Sequence, residues 1–318
     1  MLKKLLVIVV ALIGIAAVLL AVRVLPAHLQ IRNVEIELPT LRQIEAVLDR
    51  SPSEEHPVDV RFVNTASQSG GGVMISHPGV LVRWADGRMF LVDAGMNREQ
   101  VREFGRVLEL VLGADPAEPY GPIEEQMGAD VAGIRGIGFT HLHSDHTGGV
   151  TALCETLDGD ARIFQTVHQA SLHNSLTEAG QALIDGSGCR KQVLGDELVK
   201  PVPGFPGIVA IAAGGHTPGS TIFAIRSGGM IRLFAGDITN SMADLRANRG
   251  KGWIYSYVLV PENEGLLARW RTWLGTLLDR DGLAVVVAHD LDSYRAAGLT
   301  AWHPAPAGVS GIKAASKN

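Results

Sequence analysis

The chain has 318 residues, 46% of them hydrophobic, and 28 basic against 33 acidic side chains give it a net charge of −5. That length and apolar content supply a full core and exclude extended disorder. With no long basic run and no internal repeat of useful period, nothing points to a nucleic-acid partner or a solenoid.

In chain order, Met1-Leu-Lys-Lys comes first, then an uncharged apolar run from Leu5 to Val22, closed by Arg23. As a helix the run spans about 27 Å, enough to cross a bilayer core. A cleaved signal peptide is the competing reading. Its apolar stretch is usually shorter and ends in a small-x-small site, whereas Leu25-Pro26-Ala27 puts a large residue where a small one is required. Residues 5–22 therefore read as an uncleaved transmembrane helix. Lys3 and Lys4 hold the N-terminus in the cytoplasm. The expected placement is single-pass in the inner membrane, with the remainder on the periplasmic or extracytoplasmic side. Residues 23–57 read as a connector. Within it Thr40 caps a short helix with Leu41, Ile44, Val47 and Leu48 on one stripe, stopped by Ser51-Pro52-Ser53.

A folded domain is expected over residues 58–300. Ser67 to Gly72 reads as a flexible loop. Asp86-Gly87 joins Val80–Ala85 to Met89–Val92 as a hairpin. Asn97 opens a helix with Val101, Phe104, Leu108, Val111 and Leu112 on one face, and Glu124 and Glu125 read as acids in a helix first turn. Strands follow at 134–140, 161–165, 208–212, 221–225, 231–235 and 283–287. Helices are expected over 168–184 and 262–278, the latter turning Leu266, Trp270, Trp273, Leu274 and Leu277 inward. Residues 301–318 read as a tail. Strands and helices mix, as in an α/β chain. Cys154 and Cys189 match no C-x-x-C motif; a disulfide and two buried thiols are both ordinary for them.

The chemistry is concentrated in T-H-L-H-S-D-H-T-G-G-V, residues 140–150. His141 and His143, two apart in extended backbone, point the same way, while Asp145 and His146 follow at a turn and face a neighbouring position. This spacing offers two ligands to each of two adjacent metals. Imidazole and carboxylate suit zinc, and also iron or manganese. Three or four ligands per metal require remote partners, and His216, Asp237 and His289 are the natural ones. Each follows an apolar strand, as His141 does, so all lie on the rim of a sheet.

Asp93 in L-V-D-A-G, the block His141–Gly149, His216 in G-G-H-T-P-G-S, Asp237 in A-G-D and His289 in V-A-H-D come in the order of the metallo-β-lactamase superfamily. The chain resembles a member of that superfamily over about residues 58–295. The resemblance implies an αββα four-layer sandwich. It implies that His141, His143 and His216 bind a first zinc ion, that Asp145, His146 and His289 bind a second, and that Asp237 bridges them. Asp93 would stand behind the ligands and orient a histidine. A hydroxide shared by the two cations would attack a carbonyl or phosphoryl centre, with Asp145 and Asp237 as the catalytic carboxylates and no role for Ser144 or Cys154.

Zinc β-lactamases usually carry Cys or Ser where this chain has Asp237. G-H-T-P-G-S resembles the quorum-signal lactonases, but those have a tyrosine three residues after the bridging aspartate, where Asn240 stands here. The expected function is a membrane-anchored, dinuclear metal-dependent hydrolase of a small ester, lactone or related carbonyl compound. The alternative is a mononuclear-iron oxidoreductase of the persulfide dioxygenase type, which would not need the second ligand set. His28, His56, His77, His168, His173 and His303 are expected on the surface or in packing, with His77, before Pro78, the one to inspect. Tyr255 and Tyr257 are assigned to the core or to the wall of a substrate pocket. The sequence names no oligomeric state.

Overall fold

The computed structural model describes residues 2–70 and 72–302; His303 and the expected tail after it lie outside the described residues. A first group of strands comprises β1 (Asp59–Gly70), β2 (Val73–Arg83), β3 (Met89–Val92), β4 (Glu118–Pro119), β5 (Ile134–Gly138), β6 (Arg162–Gln165) and β7 (Arg190–Val193). A second comprises β8 (Lys200–Pro201), β9 (Ile208–Ala212), β10 (Thr221–Ser227), β11 (Met230–Phe234) and β12 (Leu283–Val286), and β13 (Thr300–Ala301) returns to the first. The first sheet runs β13-β1-β2-β3-β5-β6-β7 with β4 beside β1; the second runs β12-β11-β10-β9-β8.

Alternation along the strands builds the layers. Val80, Val82, Phe90 and Val92 face the second sheet and meet Ile208, Ala210, Phe223, Ile225 and Phe234 between the two sheets. Their neighbours Leu81, Met89 and Leu91 point the other way, onto Ile123, Val150, Leu153 and Ile184 of covering helices. On the far side Ile211, Ile222, Ala224 and Leu233 pack under Ile44, Leu48, Leu267, Trp270 and Leu274. The result is helix, sheet, sheet, helix, because a period of two gives each strand two apolar faces to cover. Each large side chain so buried contributes about 1.5–3 kcal/mol. Gly138 is glycine for want of room: a Cβ there would lie 2.5 Å from the Phe223 ring.

The hairpin pairs Val80 with Val92 as its Asp-Gly turn requires. Thr40 caps Leu41–Leu48 in a capping box with Gln43, and Asn97 caps Arg98–Leu112; the side chains of Val111 and Leu112 lie outside the described residues. Three expectations are corrected. Ser67–Gly70 is not a flexible loop but the end of β1, paired with Val73–Ser76. The polar Gln68 is buried there, its amide donating to the Gly105 and Asp115 carbonyls at 3.0 and 2.7 Å. The expected helix over 168–184 is two, Val167–Ser171 and Glu178–Gly186. Asn174 breaks it, because its side chain accepts from Leu176 N at 3.0 Å and so offers the backbone a local alternative. The N-terminal helix does not stop at Val22 but runs from Leu2 to Arg32, through Pro26, so much of the expected connector is helical. Cys154 and Cys189 are joined by a disulfide.

Candidate metal centre

Five strand ends deliver the site to one rim of the sandwich. Asp93 follows β3, His141 follows β5, His216 follows β9, Asp237 follows β11 and His289 follows β12. Thr221 N donates to Thr140 O at 2.7 Å and ties the two sheets together there. His143 caps the short helix Ser144–Thr147, which turns Asp145 and His146 back toward the rim. All seven expected ligands are brought together, and all but the half-buried His143 are buried.

They form two groups. His143 Nδ1 lies 3.1 Å from His141 Nε2 and 3.1 Å from His216 Nε2. Donors around one tetrahedral ion at about 2.0–2.1 Å stand roughly 3.3 Å apart, close to what these three show. In the second group, His289 Nε2 is 3.6 Å and His146 Nε2 is 3.6 Å from Asp145 Oδ2. Asp237 faces both groups: its Oδ2 is 3.5 Å from His216 Nε2, and its Oδ1 is 3.0 Å from His289 Nε2 and 3.6 Å from His146 Nε2. His146 Nε2 is buried without a hydrogen-bond partner, and the buried Asp237 Oδ1 has only the His289 ring within 3.0 Å. Such atoms are costly unless something binds them, and a cation between them fits.

The ring nitrogens turned away from this centre are engaged. His146 Nδ1 donates to Asp93 Oδ2 at 3.0 Å, while Thr140 N and Oγ1 each donate to the same carboxylate at 2.7 Å. Asp93 adopts φ +64°, a left-handed conformation unusual outside glycine. That strain aims its carboxylate back under the rim. His289 Nδ1 donates to the Ser76 carbonyl at 2.8 Å, and His216 Nδ1 donates to Glu262 Oε1 at 2.6 Å. Each such bond fixes the tautomer and leaves the inward nitrogen free to ligate.

The electrostatics separate the groups. Burial, reinforced by neighbouring imidazoles, holds His141 well below its usual range and His143 down to about 3, so both are neutral as ligands must be. Burial also disfavours a cation at His146, yet Asp145 and Asp93 raise it to about 10. Burial likewise opposes charge on His289, but Asp237 raises it. The carboxylates thus favour positive charge in this group, which bound cations would supply.

Four contributors were not expected. Glu262 is buried, and Ser256 Oγ donates to its second oxygen at 2.5 Å. Burial pushes the Glu262 carboxyl up, but the Lys251 cation and the His216 bond reverse this and hold it at about 2. Lys251 Nζ, itself buried, reaches both Asp237 Oδ2 and Glu262 Oε1 at 3.3 Å. His77 belongs to the cluster rather than the surface: its Nδ1 is 3.2 Å from Asp145 Oδ2 and its ring packs edge-on against His289. Ser76 contributes only its backbone. Of these, His77 carried a signal in its own residue type; the others arrive by tertiary approach. The Tyr255 ring lies 5.1 Å from Lys251 Nζ beside the cluster, whereas Tyr257 points away and stacks on His28.

A family model of the metallo-β-lactamase superfamily matches residues 76–304. The chain belongs to the metallo-β-lactamase superfamily. No curated protein sequence matches it. Solved structures of this superfamily share the fold at low identity. A Bacillus thuringiensis AiiA variant with N-decanoyl-L-homoserine at its active site aligns with TM-score 0.55 and 14% identity, over 76% of this chain and 96% of that one. AidC, a dizinc quorum-quenching lactonase in complex with a homoserine product, aligns with TM-score 0.52 and 14% identity, over 75% and 92%. A metal-dependent hydrolase described as probable, from Staphylococcus aureus, aligns with TM-score 0.54 and 16% identity, over 74% and 90%.

Proposed function

We propose that this metallo-β-lactamase superfamily member is a dinuclear metal-dependent hydrolase of a small ester, lactone or related carbonyl compound. The observation that carries the reading is Asp237, whose two oxygens address two separate ligand groups. His141, His143 and His216 would hold one cation and Asp145, His146 and His289 the other. When bound, such a pair supplies Lewis acidity and deprotonated water at neutral pH; zinc fits the donors, as do iron and manganese. The chain's own part is orientation. Asp93, Glu262 and the Ser76 carbonyl hold three imidazoles with their inward nitrogens aimed at the cluster. His77 steadies Asp145, and Lys251 offsets the charge of Asp237 and Glu262. The buried ligands exclude bulk water, and half-buried His143 beside exposed Ser144 marks the side open to substrate.

The same reading places the chain in a membrane by its N-terminal helix. Within Lys3–Arg32 an 18-residue stretch reaches a mean hydropathy of 3.3, and none of that stretch is covered by the domain. The helix continues unbroken through the Leu25-Pro26-Ala27 segment, and Ala27, His28 and Ile31 are buried. Removing residues up to Ala27 would therefore expose a packed surface. The Cys154–Cys189 disulfide agrees with an oxidising, extracytoplasmic address.

The test is elemental analysis of the full chain purified in detergent without chelator, followed by hydrolysis assays on lactones, esters and thioesters. Two divalent ions per chain, with both metal and hydrolysis lost in Asp237→Ala, is the expected result. One iron per chain, with oxygen uptake on a persulfide, would replace this reading with the oxidoreductase.

A further inference from the structure

Residues 252–260, Gly-Trp-Ile-Tyr-Ser-Tyr-Val-Leu-Val, carry no charge. They fold as one turn leading into a π-helical turn, Tyr255–Leu259, and that turn sorts its side chains. Tyr255 and Ser256 face the metal centre, through Lys251 and Glu262 respectively. Trp253, Ile254, Tyr257 and Leu259 face out, with exposures of 68%, 63%, 37% and 42%. Surfaces that expose several large apolar side chains from one short segment mark a contact with something apolar.

The N-terminal helix says what that is. His28 Nε2 donates to the Tyr257 carbonyl at 3.0 Å, the His28 and Tyr257 rings stack at 5.5 Å, and Trp253 stacks on Tyr257 at 6.1 Å. On the other side Gln30 Nε2 donates to the His173 carbonyl at 2.9 Å. The helix therefore enters the domain without a flexible joint. Leu25, three residues before His28, is apolar and 57% exposed, so the apolar helix surface reaches within about 5 Å of His28 along the axis. The headgroup zone on each side of a bilayer is about 5–7 Å deep. Tryptophan and tyrosine favour that zone, where an apolar ring and a polar edge are both accommodated.

We propose that the outer face of residues 253–259 sits in the headgroup and upper acyl region of the bilayer that the N-terminal helix crosses. It rests on reading that helix as a membrane anchor. The wall of the metal centre that carries Lys251 and Tyr255 is then the inner side of a membrane-seated segment.

The test uses the full chain reconstituted in vesicles of equal parts phosphatidylethanolamine and phosphatidylglycerol, with a nitroxide placed on the headgroup-proximal part of some acyl chains. Tryptophan emission is compared between the wild type and Trp253→Phe, and alkaline carbonate extraction is run on both. The expected result is that both chains stay with the vesicles and that the wild type shows a quenchable component that Trp253→Phe lacks. Equal fractional quenching in chains that stay with the vesicles would overturn the inference and leave the anchor standing. Release of both chains by carbonate would overturn the anchor and the inference together. Emission protected from nitroxide lipid but changing on dilution of protein among vesicles would assign the face to a second copy and equally overturn the inference.

Discussion

Glu262 stands outside the group of His141, His143 and His216 and orients one of its three imidazoles. It fixes His216 by a 2.6 Å bond and faces the Lys251 cation at 3.3 Å. Groups that orient a metal-bound imidazole typically contribute 10–100-fold in metal affinity. Glu262→Gln keeps the shape and removes the charge, so it should weaken metal binding by about 10–100-fold, read by competition with a chromophoric chelator. An unchanged affinity would show that His216 is positioned by packing alone. In the metal-free chain the same carboxyl is held at about 2 from an ordinary 4.5. Its folded-state pKa is depressed, so its stabilisation is present above pH 4.5 and is lost as pH falls toward 2. Acid unfolding of the metal-free Glu262→Gln variant should accordingly be flatter than wild type across that interval. Some ligand candidates were legible because spacing itself makes geometry, His141 and His143 at a strand end and Asp145 and His146 one turn later, and His216, Asp237 and His289 because each follows an apolar strand. Glu262 and Lys251 were not, because nothing local distinguishes a buried charge from a surface one until the chain has closed around it.

Among the elements, the Cys154–Cys189 bridge ties the helix Val150–Thr156 to the start of β7 across a separation of 35 residues. Closing a loop of that size restrains the unfolded chain by about 3–4 kcal/mol on the chain-entropy account. Urea unfolding of the metal-loaded chain in detergent should lose about that much in Cys154→Ala/Cys189→Ala, and wild type in reductant should fall to nearly the same value. A wild type indifferent to reductant would mean the bridge does not stabilise the fold. Elements with a local rule were readable before the structure: the Asp86-Gly87 hairpin and the helices capped by Thr40 and Asn97. The end of β1 and the break at Asn174 were not, because both depend on where side-chain amides find partners. Gln68 satisfies distant carbonyls and so permits strand; Asn174 satisfies its own neighbourhood and so ends a helix.

At the scale of the whole molecule, the apolar N-terminal helix runs without a break into the segment that packs on the folded domain. The full chain expressed in a bacterial host should remain in the membrane pellet after alkaline carbonate, with Met1 or an early residue at its N-terminus. A soluble chain beginning at His28 would identify a signal peptide instead. The layered architecture was legible because apolar strands and amphipathic helices alternate along the chain, while the length of the N-terminal helix was hidden by Arg23 and Pro26, which punctuate the sequence but not the fold. His141, His143, Asp145 and His146 extend from the first sheet, and His216, Asp237 and His289 from the second. A cation held by both sets would act as a clasp across the open edge of the sandwich. Binding only the closed form, it would add about 2.7 kcal/mol when free metal stands at 100 times its dissociation constant. The melting temperature of this protein would then report the metal supply of its compartment, and scarcity would be felt first as loosening and turnover, before any question of catalytic rate.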